Sequence, residues 1–401
     1  MSAASFRRKT DVLKVFVIAT EESGDRLGGA LVQALRARAG PQLCVEGIGG
    51  RAMAEQGLVS LFPVDDLAIV GLSAIARRAP ILWRRIREAA DAAIAARPDV
   101  LVIIDSPDFT HRVARRVRKA APAIPIIDYV SPSVWAWRPG RARAMRGYVN
   151  HVLALLPFEP AAHVRLGGPP CSYVGHPLSE QVSALRPNSE EAKRRAAGPP
   201  LVLVLPGSRS GEIARHLATF GAAVARVADR VGSVEPVLPT VPHLADRVRQ
   251  QTASWRVPPR IVVETEEKWA AFRCARAALA ASGTVTLELA LAGVPTVVAY
   301  KVGLLEELVF RAFVRVPTIV LANLVLGRNV MPQITQRDAT PARLGDELVE
   351  LIGDTPARAR QLDAFARLDD VMGIGTLRPS EAAADIVLAV ACGAWRARDA
   401  E

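Results

Sequence analysis

Short apolar runs separated by longer amphipathic stretches recur along most of this chain. Val15–Ala19, Leu43–Ile48, Val100–Ile104, Ile124–Val130 and Val149–Leu155 are nearly unbroken apolar segments. Runs of that length, bounded by Gly, Pro or polar residues, predict strands buried on both faces. Between them, Leu27–Ala39 and residues 80–96 carry a helical period. Strand and helix alternating in this way predict a doubly wound parallel sheet.

The pattern breaks at residues 178–200. Arg186-Pro187-Asn188-Ser189-Glu190-Glu191 is polar, and Gly198-Pro199-Pro200 closes the stretch, which makes it the best linker. A second α/β series follows, with strands at Leu201–Leu205, Pro236–Leu238, Arg260–Val263, Ala277–Ala281 and Thr296–Ala299. Helices are expected at Ile213–Ala228 and Thr284–Ala292, and helical patterns dominate after Pro341. The expected fold class is α/β, with two Rossmann-like doubly wound domains facing across a cleft. The expected divisions are residues 1–180, 181–375 and a C-terminal helical piece, 376–401.

Composition narrows the function. The chain has 401 residues, 50% hydrophobic but only 5% aromatic, so Ala, Val and Leu must fill most of two cores. Cys44, Cys171, Cys274 and Cys392 are scattered without CxxC spacing, so neither a disulfide framework nor a zinc site is expected, and a reducing cytosol fits. No apolar run approaches a membrane span. Arg7, Arg8 and Lys9 before Val15–Ala19 superficially suggest a signal peptide. The run is too short, and Glu21, Glu22 and Asp25 follow at once, so a first strand is expected instead. A net charge of +11 invites anionic partners, or reflects Arg-rich solvated helix faces. No nucleic-acid motif is present, so no nucleic-acid partner is expected.

Candidate chemistry sits where strands end, which is where open α/β sheets bind ligands. After the first strand, Ser23, Gly24 and Asp25 open a helix whose free amides can attract anions or hydroxyls; Ser23 and Asp25 also suit plain helix capping. After the third, Asp105 and Asp108 in Asp105-Ser106-Pro107-Asp108 supply a possible general base, though Asp108 can equally cap the next helix. Ser131-Pro132-Ser133-Val134-Trp135-Ala136-Trp137-Arg138 follows the fourth and holds two of the six tryptophans, Trp135 and Trp137. These either line a site or cap a core.

In the second half, Gly207, Ser208, Arg209 and Glu212 in Pro206-Gly207-Ser208-Arg209-Ser210-Gly211-Glu212 resemble a phosphate loop without the GK[ST] of nucleoside triphosphatases. Ser282, Gly283 and Thr284 form a similar strand-to-helix turn, with Glu288 one turn on. These groups describe a nucleotide-diphosphate site in the second half and an acceptor site with a carboxylate base in the first. His176 reads as a polar contact beside the linker. Residues 67–87 mix Ile75, Ile81, Leu82 and Trp83 with Arg77, Arg78, Arg84, Arg85 and Arg87. Such a segment lies on an anionic membrane surface or forms a core helix with a basic outer face.

These motifs, in this order, resemble the lipid-A-disaccharide synthase family. The likeness is carried by Ser23-Gly24-Asp25, Asp105 to Phe109, Tyr129-Val130 running into the tryptophan motif, Leu155-Leu156-Pro157-Phe158-Glu159, Val174-Gly175-His176-Pro177, the Leu205–Ile213 loop and Ser282–Glu288. It spans roughly residues 13 to 390. The resemblance implies the GT-B fold of glycosyltransferase family 19, acting without metal or other cofactor. It implies transfer from UDP-2,3-diacylglucosamine to 2,3-diacylglucosamine 1-phosphate (lipid X), with inversion, giving the β-1′,6-linked disaccharide 1-phosphate and UDP.

It further implies Asp105 as base, Arg209 on the diphosphate, Ser282, Gly283, Thr284 and Glu288 in the UDP site, and Asn323 near the nucleotide. It implies a cytoplasmic homodimer, peripheral on the inner membrane's anionic face, with C-terminal elements exchanged. Departures are Thr20 for a usual Gly, Ala322 for a usual Pro, and Met331-Pro332-Gln333 for Val-Pro-Glu; these bear on edges of substrate fit such as acyl preference. A UDP-sugar 2-epimerase on the same scaffold and a non-catalytic lipid-binding relative are the rival readings.

Overall fold

A computed structural model describes residues 12–64, 72–303, 307 and 316–393, with the side chains of 72–79 left out. The chain divides into two compact units. One holds residues up to Pro177 together with those from Thr376 onward; the other is Leu178–Gly375.

The first unit is built on β1 (Leu13–Ala19), β2 (Leu43–Ile48), β3 (Val100–Ile104), β4 (Ile126–Tyr129), β5 (His151–Ala154) and β6 (Cys171–Tyr173). They form one sheet in the order β2-β1-β3-β4-β5-β6, with every pairing parallel. All five residues of β3 are buried, as its unbroken apolar run requires of a strand covered on both faces. One face packs against the helices Glu22–Ala39 and Pro379–Ala391 through Leu31, Leu35, Val387 and Leu388. The other packs against Leu72–Ala96 and Pro107–Ala120 through Ile86, Ala89, Val113 and Val117. Pro379–Ala391 thus joins the first sheet although the chain reaches it last. Arg38 Nε pairs with Asp385 across that helix pair at 2.5 Å.

The second unit repeats the plan with β7 (Leu201–Leu205), β8 (Glu235–Pro239), β9 (Arg260–Val262), β10 (Ala277–Ala281), β11 (Thr296–Tyr300) and β12 (Gln333–Thr335). Their order is β12-β11-β10-β7-β8-β9, again all parallel. The helices Ser210–Val231 and Pro341–Ile352 bury Ile213, Phe220, Leu344 and Leu348 in one core. Among the described residues no helix is long and apolar enough to cross a membrane.

Each sheet has one point where the strand order reverses. In the first it lies between β1 and β3; in the second, between β7 and β10. Connections leave in opposite directions there, and the carboxyl ends of the two strands open a crevice.

Candidate functional site

In the first unit the reversal brings the Glu21–Ser23 loop after β1 beside Asp105 and Ser106 after β3. Ser106 Oγ donates to Glu21 Oε1 at 2.8 Å, and the Ser23 hydroxyl bonds to the Asp105 carboxylate. Asp105 (φ +53°) and Ser106 (φ +46°) both adopt the left-handed conformation. Two consecutive non-glycine residues there cost on the order of 1–3 kcal/mol each, a strain that concentrates at working sites. The turn is held by Asp105 N–H donating to Tyr129 O at 3.1 Å and by Thr110 Oγ1 donating to Asp105 O at 2.6 Å.

Burial pushes the Asp105 carboxyl above the usual carboxylate range. A hydrogen bond from the Ser106 amide opposes this, while the charges of Glu21 and Asp128 add to it. A half-buried carboxylate with a raised pKa at a strand tip is equipped to accept a proton.

Asp128 lies fully buried in β4, with His111 Nε2 3.1 Å from its Oδ2. His111 Nδ1 is 3.0 Å from Tyr148 Oη, which accepts from Arg115 Nη2 at 3.2 Å.

The tryptophan loop is clamped from one helix. Glu159 and His163 stand four residues apart on Glu159–Leu166, hence on one face. Trp135 Nε1 donates to Glu159 Oε1 at 3.0 Å, and Ser131 Oγ lies 2.9 Å from His163 Nε2. Phe158 meets the Trp135 ring edge-on, and Arg138 stacks over Trp137 at 4.4 Å. The loop carries positive φ at Val130, Ser133 and Arg138. Burial pushes Glu159 up to about 7, against hydrogen bonds from Trp135 and the Leu156 amide. Burial also lowers His163, and it pushes His176 down to about 4.

Other predicted groups of this unit turn inward or outward. The buried Asp25 carboxylate accepts from the amides of Gly50, Ala52 and Met53 at 2.7, 2.7 and 3.2 Å. It caps the helix Arg51–Ala54, whose first amides are drawn to a carboxylate. Gly24 lies beside Ala19 and the Ile104 carbonyl, where a Cβ would make ordinary contact at 3.4 Å. Asp108 is exposed, 3.6 Å from Arg141.

In the second unit the reversal brings Pro206–Arg209, after β7, beside Ser282–Thr284, after β10. Gly207 has φ +118°, and a Cβ there would stand 2.4 Å from Glu212 Oε2, so only glycine fits. Glu212 was expected among ligand contacts. It instead accepts from the Ser208 and Arg209 amides at 3.1 and 3.3 Å and from Arg209 Nη1 at 3.1 Å. A carboxylate of the helix's own first turn thus occupies two amides that the sequence offered to a phosphate. The Arg209 side chain stays 82% exposed and can still reach an anion.

Ser282 Oγ donates to Ile319 O at 2.6 Å, while Gly283 and Thr284 are exposed. Glu288 pairs with Lys268 Nζ at 2.6 Å. Asn323 is 1% exposed. It accepts from the Val330 and Met331 amides at 3.0 and 2.9 Å and donates to Met331 O at 2.9 Å. Its side chain therefore pins the 323–331 turn.

Of the segment expected at a membrane, residues 65–71 and the Ile75 side chain lie outside the described residues. Ile81 and Trp83 are exposed at 40% and 53%, Arg84 and Arg87 are exposed, and Arg112 lies 5.3 Å over the Trp83 ring. Leu82 packs on the core, and Arg85 stacks on Phe62 while pairing with Glu88. The expected patch is thus split by the helical period, with Leu82 and Arg85 facing inward.

Sequence reading passed over Glu21, Asp128, His111, Glu159, His163 and His216 as site groups. Glu21 and Glu159 stood within motifs and Asp128 within a strand, each without a role; the histidines meet their partners only through the fold.

The family model for lipid-A-disaccharide synthetase matches residues 15–387. A lipid-A-disaccharide synthase of Rhodopseudomonas palustris strain HaA2 is 59% identical over 379 residues, covering 94% of this chain and 96% of that protein. One from Rhodospirillum centenum is 42% identical, covering 94% of each. Among solved structures, a putative UDP-N-acetylglucosamine 2-epimerase from Listeria monocytogenes superposes with a TM-score of 0.62 at 12% identity, over 98% of this chain and 99% of that one. MurG from Acinetobacter baumannii does so at 0.55 and 13% identity, over 94% and 99%. These structural likenesses give the fold, GT-B, while the sequence matches give the kinship: the chain belongs to the lipid-A-disaccharide synthase family, enzymes of lipid A biosynthesis.

Proposed function

We propose that this enzyme is an inverting glycosyltransferase that joins UDP-2,3-diacylglucosamine to lipid X, giving the β-1′,6-linked disaccharide 1-phosphate and UDP. Family membership supports the two substrates. The observation that carries the mechanism is Asp105, a strained, half-buried carboxylate with raised proton affinity at the reversal of the first sheet. In this reading Asp105 takes the proton from the acceptor 6-hydroxyl as that oxygen bonds to the anomeric carbon. The bond from that carbon to the diphosphate breaks on the opposite face, and its electron pair leaves on the UDP β-phosphate oxygen. One in-line displacement inverts the centre without an enzyme nucleophile. Arg209, with the loops at Gly207-Ser208 and Ser282–Thr284, receives the diphosphate, and Arg209 offsets its growing charge.

The outer face of Leu72–Ala96 is read as the membrane contact, through Ile81, Trp83, Arg84 and Arg87. Of the exposed large hydrophobics among the described residues, all but Val231 lie in the first unit, which favours that unit as the one meeting lipid.

The deciding experiment measures UDP release in detergent micelles containing UDP-2,3-diacylglucosamine, with and without lipid X. Release that requires lipid X, with a disaccharide product by mass, is expected. Release without a disaccharide, or no release, overturns the reading and leaves the rival epimerase or binding protein.

A further inference from the structure

We propose that His216 is a positioning residue that fixes the rim of the second sheet as a neutral imidazole brace. The inference rests on reading the Pro206–Arg209 and Ser282–Thr284 loops as the UDP-sugar site. His216 is fully buried on Ser210–Val231. Its Nδ1 lies 2.9 Å from Pro206 O, immediately after β7, and its Nε2 accepts from the Lys301 amide at 2.9 Å, immediately after β11. The strand between β7 and β11 is β10, whose tip is the Ser282–Thr284 turn. One ring therefore ties together the two loops that flank that tip.

The partners dictate the protonation state. A carbonyl only accepts, so Nδ1 must carry the proton; an amide N–H only donates, so Nε2 must present its lone pair. Burial pushes the imidazole below its usual range, against the Pro206 hydrogen bond and the charge of Glu212, which keeps the ring neutral. Phe220 and Tyr300 lie alongside it, with centroids at 5.4 and 5.8 Å. Lys301 is gripped a second time where its Nζ donates to Thr219 Oγ1 at 3.0 Å, one turn along the same helix. Both rings and both bonds hold the rim, while His216 itself is sealed from any ligand. Its effect must therefore pass through the loops it holds.

The test uses the full-length enzyme and UDP as probe. Calorimetric titration compares wild type with His216→Ala, His216→Asn, which can keep only the Pro206 bond, and His216→Gln, which can keep only the Lys301 bond. The expected result is a UDP dissociation constant raised about tenfold in His216→Ala and less in the two partial replacements, with unchanged far-ultraviolet circular dichroism. KM for the UDP-sugar should rise while KM for lipid X stays put.

Equal UDP affinity in all variants overturns the brace, as does a parallel rise in both KM values, which marks general loosening. If the His216 variants do not fold, Thr219→Val decides, since it leaves the ring in place and frees the Lys301 ammonium, removing the second grip on the same rim. A two- to threefold weaker UDP affinity then supports the brace and an unchanged one overturns it. A wild type that binds no UDP removes the site reading itself, and the brace with it.

Discussion

The two sheets are both six-stranded, parallel and reversed at one crevice, though they differ in strand order, and their rims are built from opposite chemistry. The first rim gathers acids where water is scarce: Asp105 and Glu159 are both pushed up by burial, and Asp128 lies fully buried among them. It also gathers strain, with positive φ at Asp105, Ser106, Val130 and Ser133. The second rim is a set of small residues whose one buried acid among the described residues, Glu212, is answered by two amides and an arginine. Its buried imidazole is held neutral between two backbone groups. Raised proton affinity and strain suit a place where a proton moves; satisfied polar groups and an exposed arginine suit a place where an anion is held.

The sharpest way to break this contrast is at Asp105. Asp105→Ala should lower kcat about a thousandfold, in the range general-base removal produces, while UDP affinity stays within twofold. In wild type the rate should rise as pH passes through the raised Asp105 pKa, so the acid limb falls above the ordinary carboxylate range. Wild-type-like turnover in the variant, measured by UDP release, would make the first rim a binding surface only.

Glu159 tests whether the first rim holds proton affinity in the folded state. Its carboxyl sits at about 7 folded against 4.5 for the unperturbed group. Below pH 4.5 both states are protonated. Between 4.5 and 7 the unfolded chain ionises while the folded one does not, so the stabilisation from the raised pKa is lost as pH rises through 7. Wild type should therefore lose about 3 kcal/mol relative to Glu159→Gln between pH 4.5 and pH 8. Urea unfolding of both proteins at the two pH values measures it, and a constant difference would mean that Glu159 does not titrate in this window.

On the second rim the corresponding change is Arg209→Ala. Loss of one charge-assisted contact predicts a UDP-sugar KM raised about tenfold to a hundredfold, about 2 kcal/mol, with the acid limb of the rate unmoved. If the pH profile shifts instead, the division between the two rims fails.

Much of this was legible in the sequence, and the parts that were not share a cause. β1, β3, β7 and β10 appear as apolar runs because a strand covered on both faces needs no polar alternation. β6 and β12 did not: each is three residues long and at the edge of its sheet, and Cys171-Ser172-Tyr173 and Gln333-Ile334-Thr335 have no apolar run to show. The place of Asp105 directly after a strand was legible. Asp25 and Asn323 stood in equally suggestive places, but their side chains bind backbone amides 25 to 28 and 7 to 8 residues away. His216 reaches Lys301, 85 residues on. Local pattern locates a strand tip; it does not tell which polar group there faces outward, because that depends on partners delivered by other strands.

The smallest expected effect extends the comparison to the outer surface. The outer face of Leu72–Ala96 places Ile81 and Trp83 in solvent, with Arg84 and Arg87 nearby and Arg112 over the indole, whereas Leu82 packs inward. Replacing Ile81 and Trp83 with Ser, and sparing Leu82, removes apolar surface that is already wet, so unfolding free energy should change by only about 0.5 kcal/mol. Binding to vesicles of anionic phospholipid should nevertheless weaken roughly tenfold, since that same apolar surface would enter the interface. High salt should weaken the residual binding, because the arginines remain. Sedimentation with vesicles at low and high salt, beside a urea melt, separates the alternatives. A large loss of stability would return this face to the core, and unchanged vesicle binding would leave the first unit's exposed hydrophobics without a lipid role.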